Sequence, residues 1–281
     1  MKIMLTGAGG QLGRALQTEL AGEQLVALSH TELDITLLEN VISAVEHHRP
    51  DVVINAAAFN DVDGAETAAA TAFGLNAEAP GNLAIATQAR GAHIVHISTD
   101  YVFDGLSGEP YDEEVPPNPL SVYGASKLAG ERAVALHNPR HFIVRTAWLY
   151  GTKGKNFARA MLSLAGRDEV SVVCDRYGSP TYAPHLAEAI ANLITTEGFG
   201  TYHLAGCGQA SWFSLTKRLF KHFGIATRVK AVPSSAFKQR ARRPAYSVLT
   251  TLRNPPLVLP CWEDGIQEFA ESMLARHTVA S

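Results

Sequence analysis

Ile3-Met4-Leu5-Thr6-Gly7-Ala8-Gly9-Gly10-Gln11-Leu12-Gly13 sets an apolar run, a glycine cluster and the start of an amphipathic stretch side by side. The run reads as a buried strand. Leu12, Leu16 and Leu20, spaced four apart, put one apolar face on the helix that follows. A strand, a turn carrying Gly7, Gly10 and Gly13, and a helix in that order are the setting of a dinucleotide-binding βαβ unit. Glycine permits the tight turn and lets the backbone approach a pyrophosphate, whose charge then faces the helix N-terminus. Gly7, Gly10, Gln11, Leu12 and Gly13 are therefore candidate cofactor contacts. The bland alternative is an ordinary glycine-rich turn.

Outward from this unit, short apolar runs alternate with helical patterns through residue 150, as in a doubly wound α/β fold around a parallel sheet. Strands are expected over 24–28, 51–55, 93–98 and 142–146, and helices over 37–48, 65–75, 77–90 and 121–136. Beyond Gly151, helices over 156–165, 184–196, 214–223 and 262–276 alternate with short strands over 171–174 and 200–204. The spacing predicts a Rossmann-like domain, 1–150, and a smaller C-terminal substrate-binding lobe, 151–281, partly interleaved with the first. The lobe would cover the carboxyl edge of the sheet, where such folds bind ligands.

Composition narrows the class. A chain of 281 residues with 46% hydrophobic content suits one large α/β domain or a domain with an appended lobe. A net charge of -3 gives no footprint for nucleic acid or an anionic membrane. Cys174, Cys207 and Cys261 lie far apart, which excludes a disulfide framework and suits a reducing, cytoplasmic setting. Lys2-Ile3-Met4-Leu5 reads as a strand rather than a leader, and no stretch approaches the roughly 20 apolar residues of a membrane span. The histidines show no paired ligand spacing. His93 and His96 fall in a buried strand and His47-His48 end a helix, so no metal role is expected.

Tyr123-Gly124-Ala125-Ser126-Lys127 carries a phenol and an ammonium at positions i and i+4 of a helix, which share a face. Ser98-Thr99-Asp100 ends the strand upstream. A tyrosine ordinarily titrates near 10, too high for efficient proton exchange at neutral pH, and an adjacent ammonium is expected to lower it by about 1 to 3 units. Lys127 can do this while holding nicotinamide ribose hydroxyls, and Thr99, or less favourably Ser98, supplies a hydroxyl to orient a carbonyl. Tyr123, Lys127 and Thr99 are the candidate catalytic residues for hydride exchange between a nicotinamide and an alcohol or ketone.

The nicotinamide is less sharply specified. An acid at the end of the second strand would bond a ribose 2′-hydroxyl and repel a 2′-phosphate. Ser29 and His30 stand there instead, which favours NADPH with NADH accepted. Asp34 and Ile35 are expected near the adenine, and the small residues Ala56-Ala57-Ala58 let a cofactor lie against backbone. Farther along, Lys238-Gln239-Arg240-Ala241-Arg242-Arg243-Pro244 is either a diphosphate clamp centred on Arg243 or a solvated basic loop.

These motifs resemble the extended short-chain dehydrogenase/reductases, and among them the dTDP-4-dehydrorhamnose reductase family, nearly end to end. The resemblance rests on 6–13, on Asn55-Ala56-Ala57-Ala58 and Val62-Asp63-Gly64-Ala65-Glu66, and on 97–105 and 123–131. It continues through 145–151, Gly154-Lys155-Asn156-Phe157, Gly178-Ser179-Pro180-Thr181 and Arg243-Pro244. It implies reduction of the C4 ketone of a dTDP-6-deoxy-4-keto-hexose, with Tyr123 as proton donor and Thr99, Asp100 and Trp148 against the sugar. Asn156 belongs to the stretch whose residues would select the sugar. A dehydratase of the same superfamily would need a second carboxylate after Asp100, where this chain has Tyr101. The resemblance extends to a regulatory subunit of methionine adenosyltransferase, a binding role that would not require the reactive set. Three departures stand out. Ala15 replaces a glutamate that in some members binds magnesium at a dimer contact, which puts that metal in doubt and leaves monomer or homodimer open. Asp175-Arg176-Tyr177 replaces the usual Asp-Gln before Gly178, and Thr250-Thr251-Leu252-Arg253 displaces a usual lysine.

Overall fold

In the computed structural model, which describes residues 1–254 and 256–279, six parallel strands form the central sheet. The first half supplies β1 (Lys2–Thr6), α1 (Gln11–Glu19), β2 (Gln24–Leu28), α2 (Leu38–His48), β3 (Val52–Asn55), α3 (Val62–Ala65), α4 (Ala69–Phe73), α5 (Ala79–Ala89), β4 (His93–Thr99), α6 (Val122–His137) and β5 (His141–Thr146). The second half supplies β6 (Leu149–Tyr150), α7 (Phe157–Leu162), β7 (Glu169–Val173), β8 (Tyr177–Gly178), β9 (Thr181–Tyr182), α8 (Ala183–Leu193), β10 (Gly200–His203), β11 (Ala210–Ser211), α9 (Trp212–His222), β12 (Arg228–Val232) and α10 (Trp262–Val279). The sheet order is β2-β1-β3-β4-β5-β10.

Strand alternation builds two separate cores. Ile3, Leu5, Val52, Ile54, Phe142 and Val144 point to one face and bury Leu12 and Leu16 of α1 with Leu186 and Ile190 of α8. Met4, Val53, Ile94 and Ile143 point to the other and bury Val41 and Val45 of α2, Leu83 of α5 and Val134 of α6. Both faces are therefore apolar, as a sheet covered on both sides requires. The second half reaches into this layer twice: α8 lies on α1, and β10 pairs with β5 through Phe142 to Arg145. A third core, with Val170, Leu215, Leu219, Trp262, Ile266 and Phe269, holds the lobe.

The alanine-rich stretch differs from the two helices expected there. The chain makes α3, then α4, then a wide π-type turn over Gly74–Glu78 that runs into α5. The turn rotates Asn76 inward, where Oδ1 accepts from Phe59 N–H at 2.8 Å and Nδ2 donates to Ser126 Oγ at 3.0 Å. A buried amide that needs these partners outweighs regular helix. Among the described residues, no helix is long and apolar enough to cross a membrane.

Candidate active site

The glycine turn joins β1 to α1 at the carboxyl edge. Gly7 takes φ +73, and a Cβ there would lie 2.5 Å from Ala57 N; one at Gly13 would lie 2.3 Å from Gly7 O. Neither position admits a side chain. No side chain caps the first N–H groups of α1, which begins at Gln11 after Gly10, so these donors stay free for an anion. That is the cradle a dinucleotide pyrophosphate requires.

A cleft of about 400 Å³ opens beside the turn. Gly10, Gln11 and Leu12 line it, with Ala56, Ala57 and Ala58 after β3. Thr99, Asp100, Tyr123, Lys127, Trp148 and Trp212 line it as well. The structure thus brings Gly10, Gln11, Leu12, the three alanines, Thr99, Asp100, Tyr123, Lys127 and Trp148 together. Ser29, His30, Asp34, Ile35, Asn156 and Arg243 lie outside this lining. Ile35 buries its side chain among Leu33, Val41 and Val45, and Asp34 Oδ1 accepts from Thr36 N–H at 2.9 Å and Oγ1 at 2.6 Å. Ser29 and His30 follow β2, but a carboxylate folds back onto Ser29: Glu32 Oε2 accepts from Ser29 N–H at 2.8 Å and Oγ at 2.6 Å. Asn156 caps α7 through Arg159 N–H at 3.0 Å and donates to Gln11 Oε1 at 2.9 Å, so it ties the lobe to the cofactor turn. Ala15 packs against the apolar core instead of offering a metal ligand.

The catalytic candidates are fixed by α6 and the end of β4. Ser121 Oγ accepts from Gly124 N–H at 3.1 Å and starts α6, whose Tyr123, Lys127 and Glu131 then fall one turn apart along a buried face. Thr99 Oγ1 accepts from Tyr101 N–H at 3.2 Å and donates to Asp100 Oδ1 at 3.1 Å. Tyr101 meets Tyr123 edge-on at 5.4 Å. Asp100 is wholly buried, and burial holds its carboxyl up at about 6, although Ser247 Oγ donates to it at 2.6 Å.

The expected lowering of the Tyr123 phenol is not what this structure displays. Burial pushes the phenol up, a hydrogen bond from Thr99 opposes it, and the Asp100 and Tyr101 charges add to the rise. Lys127 does not reach the phenol because Nζ donates to Ile97 O at 2.6 Å. Burial lowers the Lys127 ammonium to about 8, opposed by Glu131. The Tyr123 phenol therefore stays protonated at neutral pH.

The stack beside the cleft escaped sequence reading, and Arg176 stood out there only as a departure. Trp212 stacks on Trp148 with centroids 3.5 Å apart and planes 4° apart. Trp148 adopts φ +46, a left-handed conformation that costs a non-glycine residue about 1–3 kcal/mol and here is held by that stack. Arg176 buries Nη1 without a hydrogen-bond partner, and its charge and that of Arg243 are felt at Tyr101. Arg243 itself forks onto Asp63 at 2.7 and 3.2 Å, which holds that carboxyl at about 2. The departure Arg176 from the usual glutamine was a visible signal; the Trp148–Trp212 stack had none, because the partners lie in separate segments.

A family model described as the RmlD substrate binding domain matches residues 1–275. The chain belongs to this family. Among the relatives of this RmlD-type chain, a dTDP-4-dehydrorhamnose reductase of Burkholderia thailandensis is 42% identical over 269 residues, covering 89% of this chain and 90% of that protein. A probable dTDP-4,6-dihydroxy-2-methyloxan-3-one 4-ketoreductase of Streptomyces antibioticus is 40% identical over 287 aligned residues, 99% of this chain and 97% of its own. The crystal structure of the Bacillus anthracis dTDP-4-dehydrorhamnose reductase in complex with NADP has a TM-score of 0.94 to this fold. It is 42% identical and covers 97% of this chain and 100% of its own.

Proposed function

We propose that this protein reduces the C4 ketone of dTDP-4-dehydro-β-L-rhamnose to dTDP-β-L-rhamnose with NADPH. The observation that carries the reading is the convergence of Tyr123, Lys127 and Thr99 in one cleft with the free N–H groups of α1. Gly7, Gly10, Gln11, Leu12, Gly13 and Ala56 to Ala58 would hold the dinucleotide, and its nicotinamide, when bound, supplies the hydride that reaches the ketone carbon. Tyr123 gives its proton to the ketone oxygen. Thr99 donates a hydrogen bond to that oxygen and fixes the carbonyl plane. Lys127 turns from Ile97 O to the ribose hydroxyls, and its positive charge stabilises the phenolate left behind. Trp148 and Asp100 face the sugar, and residues 151–281 supply most of the substrate wall. Arg176, with Arg243 behind it, meets the diphosphate.

Purified protein should oxidise NADPH when given dTDP-6-deoxy-L-lyxo-4-hexulose; no oxidation with fresh substrate would end this reading. Glu32, which folds back onto Ser29 beyond β2, is the group that would let NADH be accepted beside NADPH, and the ratio of the two KM values measures it. A related 4-ketoreductase making another deoxysugar is the second reading, favoured by Arg176 where the usual residue is glutamine. A regulatory subunit would have no need of all three reactive groups, and this chain keeps them.

A further inference from the structure

Among the buried titratable groups that the catalytic scheme leaves unused, His96 stands against Lys127. His96 on β4 is fully buried, with its ring between Asn55 of β3 and Lys127 of α6. The proton on that ring can be placed from its neighbours. Ala57 N–H donates to one side-chain atom of Asn55 at 3.1 Å, so that atom is the oxygen, and Thr6 Oγ1 lies 2.8 Å from it. The other atom is the amide nitrogen, 3.2 Å from His96 Nδ1. A donor aimed at Nδ1 requires Nδ1 to be bare, and burial keeps the ring neutral. The single proton then sits on Nε2, which faces Lys127 Nζ at 3.5 Å.

We propose that His96 is a positioning residue, locked by Asn55 in the tautomer that points Nε2–H at Lys127 and thereby favours the amine of Lys127 over its ammonium. This rests on the reductase reading and deepens it. An N–H facing Nζ can donate to an amine lone pair but only repels an ammonium. The other charges near Lys127 oppose or balance this: Glu131 on α6 favours the ammonium, itself tied to Arg145 of β5 at 2.7 Å. Asp100, Tyr101 and Tyr123 stand on the cleft side. When Lys127 gives a proton to solvent, the lone pair left on Nζ accepts the Nε2–H bond. Solvent later returns the proton to Lys127. His96 keeps its own proton throughout.

Two variants separate this from simple packing. His96→Leu removes the opposing N–H. Asn55→Asp turns the neighbour into an acceptor, which draws the ring proton to Nδ1 and leaves a bare Nε2 to accept from the ammonium. Long-range proton–nitrogen spectra of the ligand-free, histidine-labelled protein should find wild-type His96 protonated on Nε2 and the Asn55→Asp ring protonated on Nδ1. In both variants the Lys127 Cε resonance should titrate at higher pH, by about half a unit or more, and the alkaline limb of kcat/KM should move with it. A wild-type proton on Nδ1, or an unmoved Lys127 titration in a folded variant, overturns the proposal. The spectra need no substrate, so they decide the tautomer even if no sugar nucleotide is reduced.

Discussion

The two walls of the cleft are built differently. The wall made by β3, β4 and α6 is over-determined: Asn55, His96, Ser98, Lys127 and Glu131 are all buried, and hydrogen bonds cross from strand to strand and to the helix. The opposite wall hangs on β6, β8, β9 and β11, each two residues long, and on one aromatic stack. In the proposed reaction, chemistry that must repeat to a fraction of an ångström falls to the first, and recognition falls to the second. Rigid elements place reacting groups; short ones can be exchanged to admit a different sugar.

The largest effect should come from the first wall. Tyr123→Phe removes the proton donor and should lower kcat roughly a thousandfold while cofactor affinity, read by fluorescence titration, stays unchanged. A variant that kept its turnover would strip this wall of its role. On the second wall, Arg176→Glu should raise KM for the sugar nucleotide by about 10- to 100-fold with little change in kcat, because a charge-assisted contact to phosphate is lost and replaced by repulsion. Arg243→Glu should raise KM as well and also lower the melting temperature, since it sets two carboxylates together at Asp63. A fall in kcat with unchanged KM in either would place that arginine with the chemistry.

Gly178→Ala tests the stack: its Cβ would fall 2.5 Å from the Trp148 ring, so the ring must move, and KM should rise about tenfold. The seam between the walls gives an effect on stability rather than on turnover. The Asp100 carboxyl is held at about 6 against an ordinary value of 3.8, so folding penalises its charged form. That cost appears as pH climbs from about 4 to about 6 and remains in full above it, at most about 3 kcal/mol. Asp100→Asn should therefore melt higher than the parent at pH 7, with the difference vanishing below pH 4. A gap that persisted in acid would assign the gain to some other cause.

What could be read from the sequence follows the same division. β2 matches the expected bounds, and α6 starts within a residue of expectation, because apolar runs, glycines and a serine cap act locally. The i, i+4 pairing of Tyr123 and Lys127 is a property of any helix. The strand over 200–204 was legible, but its seat beside β5 was not, since nothing in Gly200-Thr201-Tyr202-His203 names a partner over fifty residues earlier. The wide turn at Asn76 was hidden because it satisfies one amide whose partners, Phe59 and Ser126, lie in other segments. The phenol was misjudged for a related reason: spacing reveals that an ammonium is near, while burial and the pull of the Ile97 carbonyl exist only in three dimensions.

β10 carries a consequence for how such chains are made and exchanged. With its edge seat filled from residues 200–203, the nucleotide half is not a finished object at residue 150. On the ribosome, β5 waits with an open flank until some fifty further residues have emerged, and truncation near 150 should yield an aggregation-prone fragment rather than a small dehydrogenase. Recombination that trades one sugar preference for another must likewise leave α8 and β10 with their native sheet and cut on either side of them.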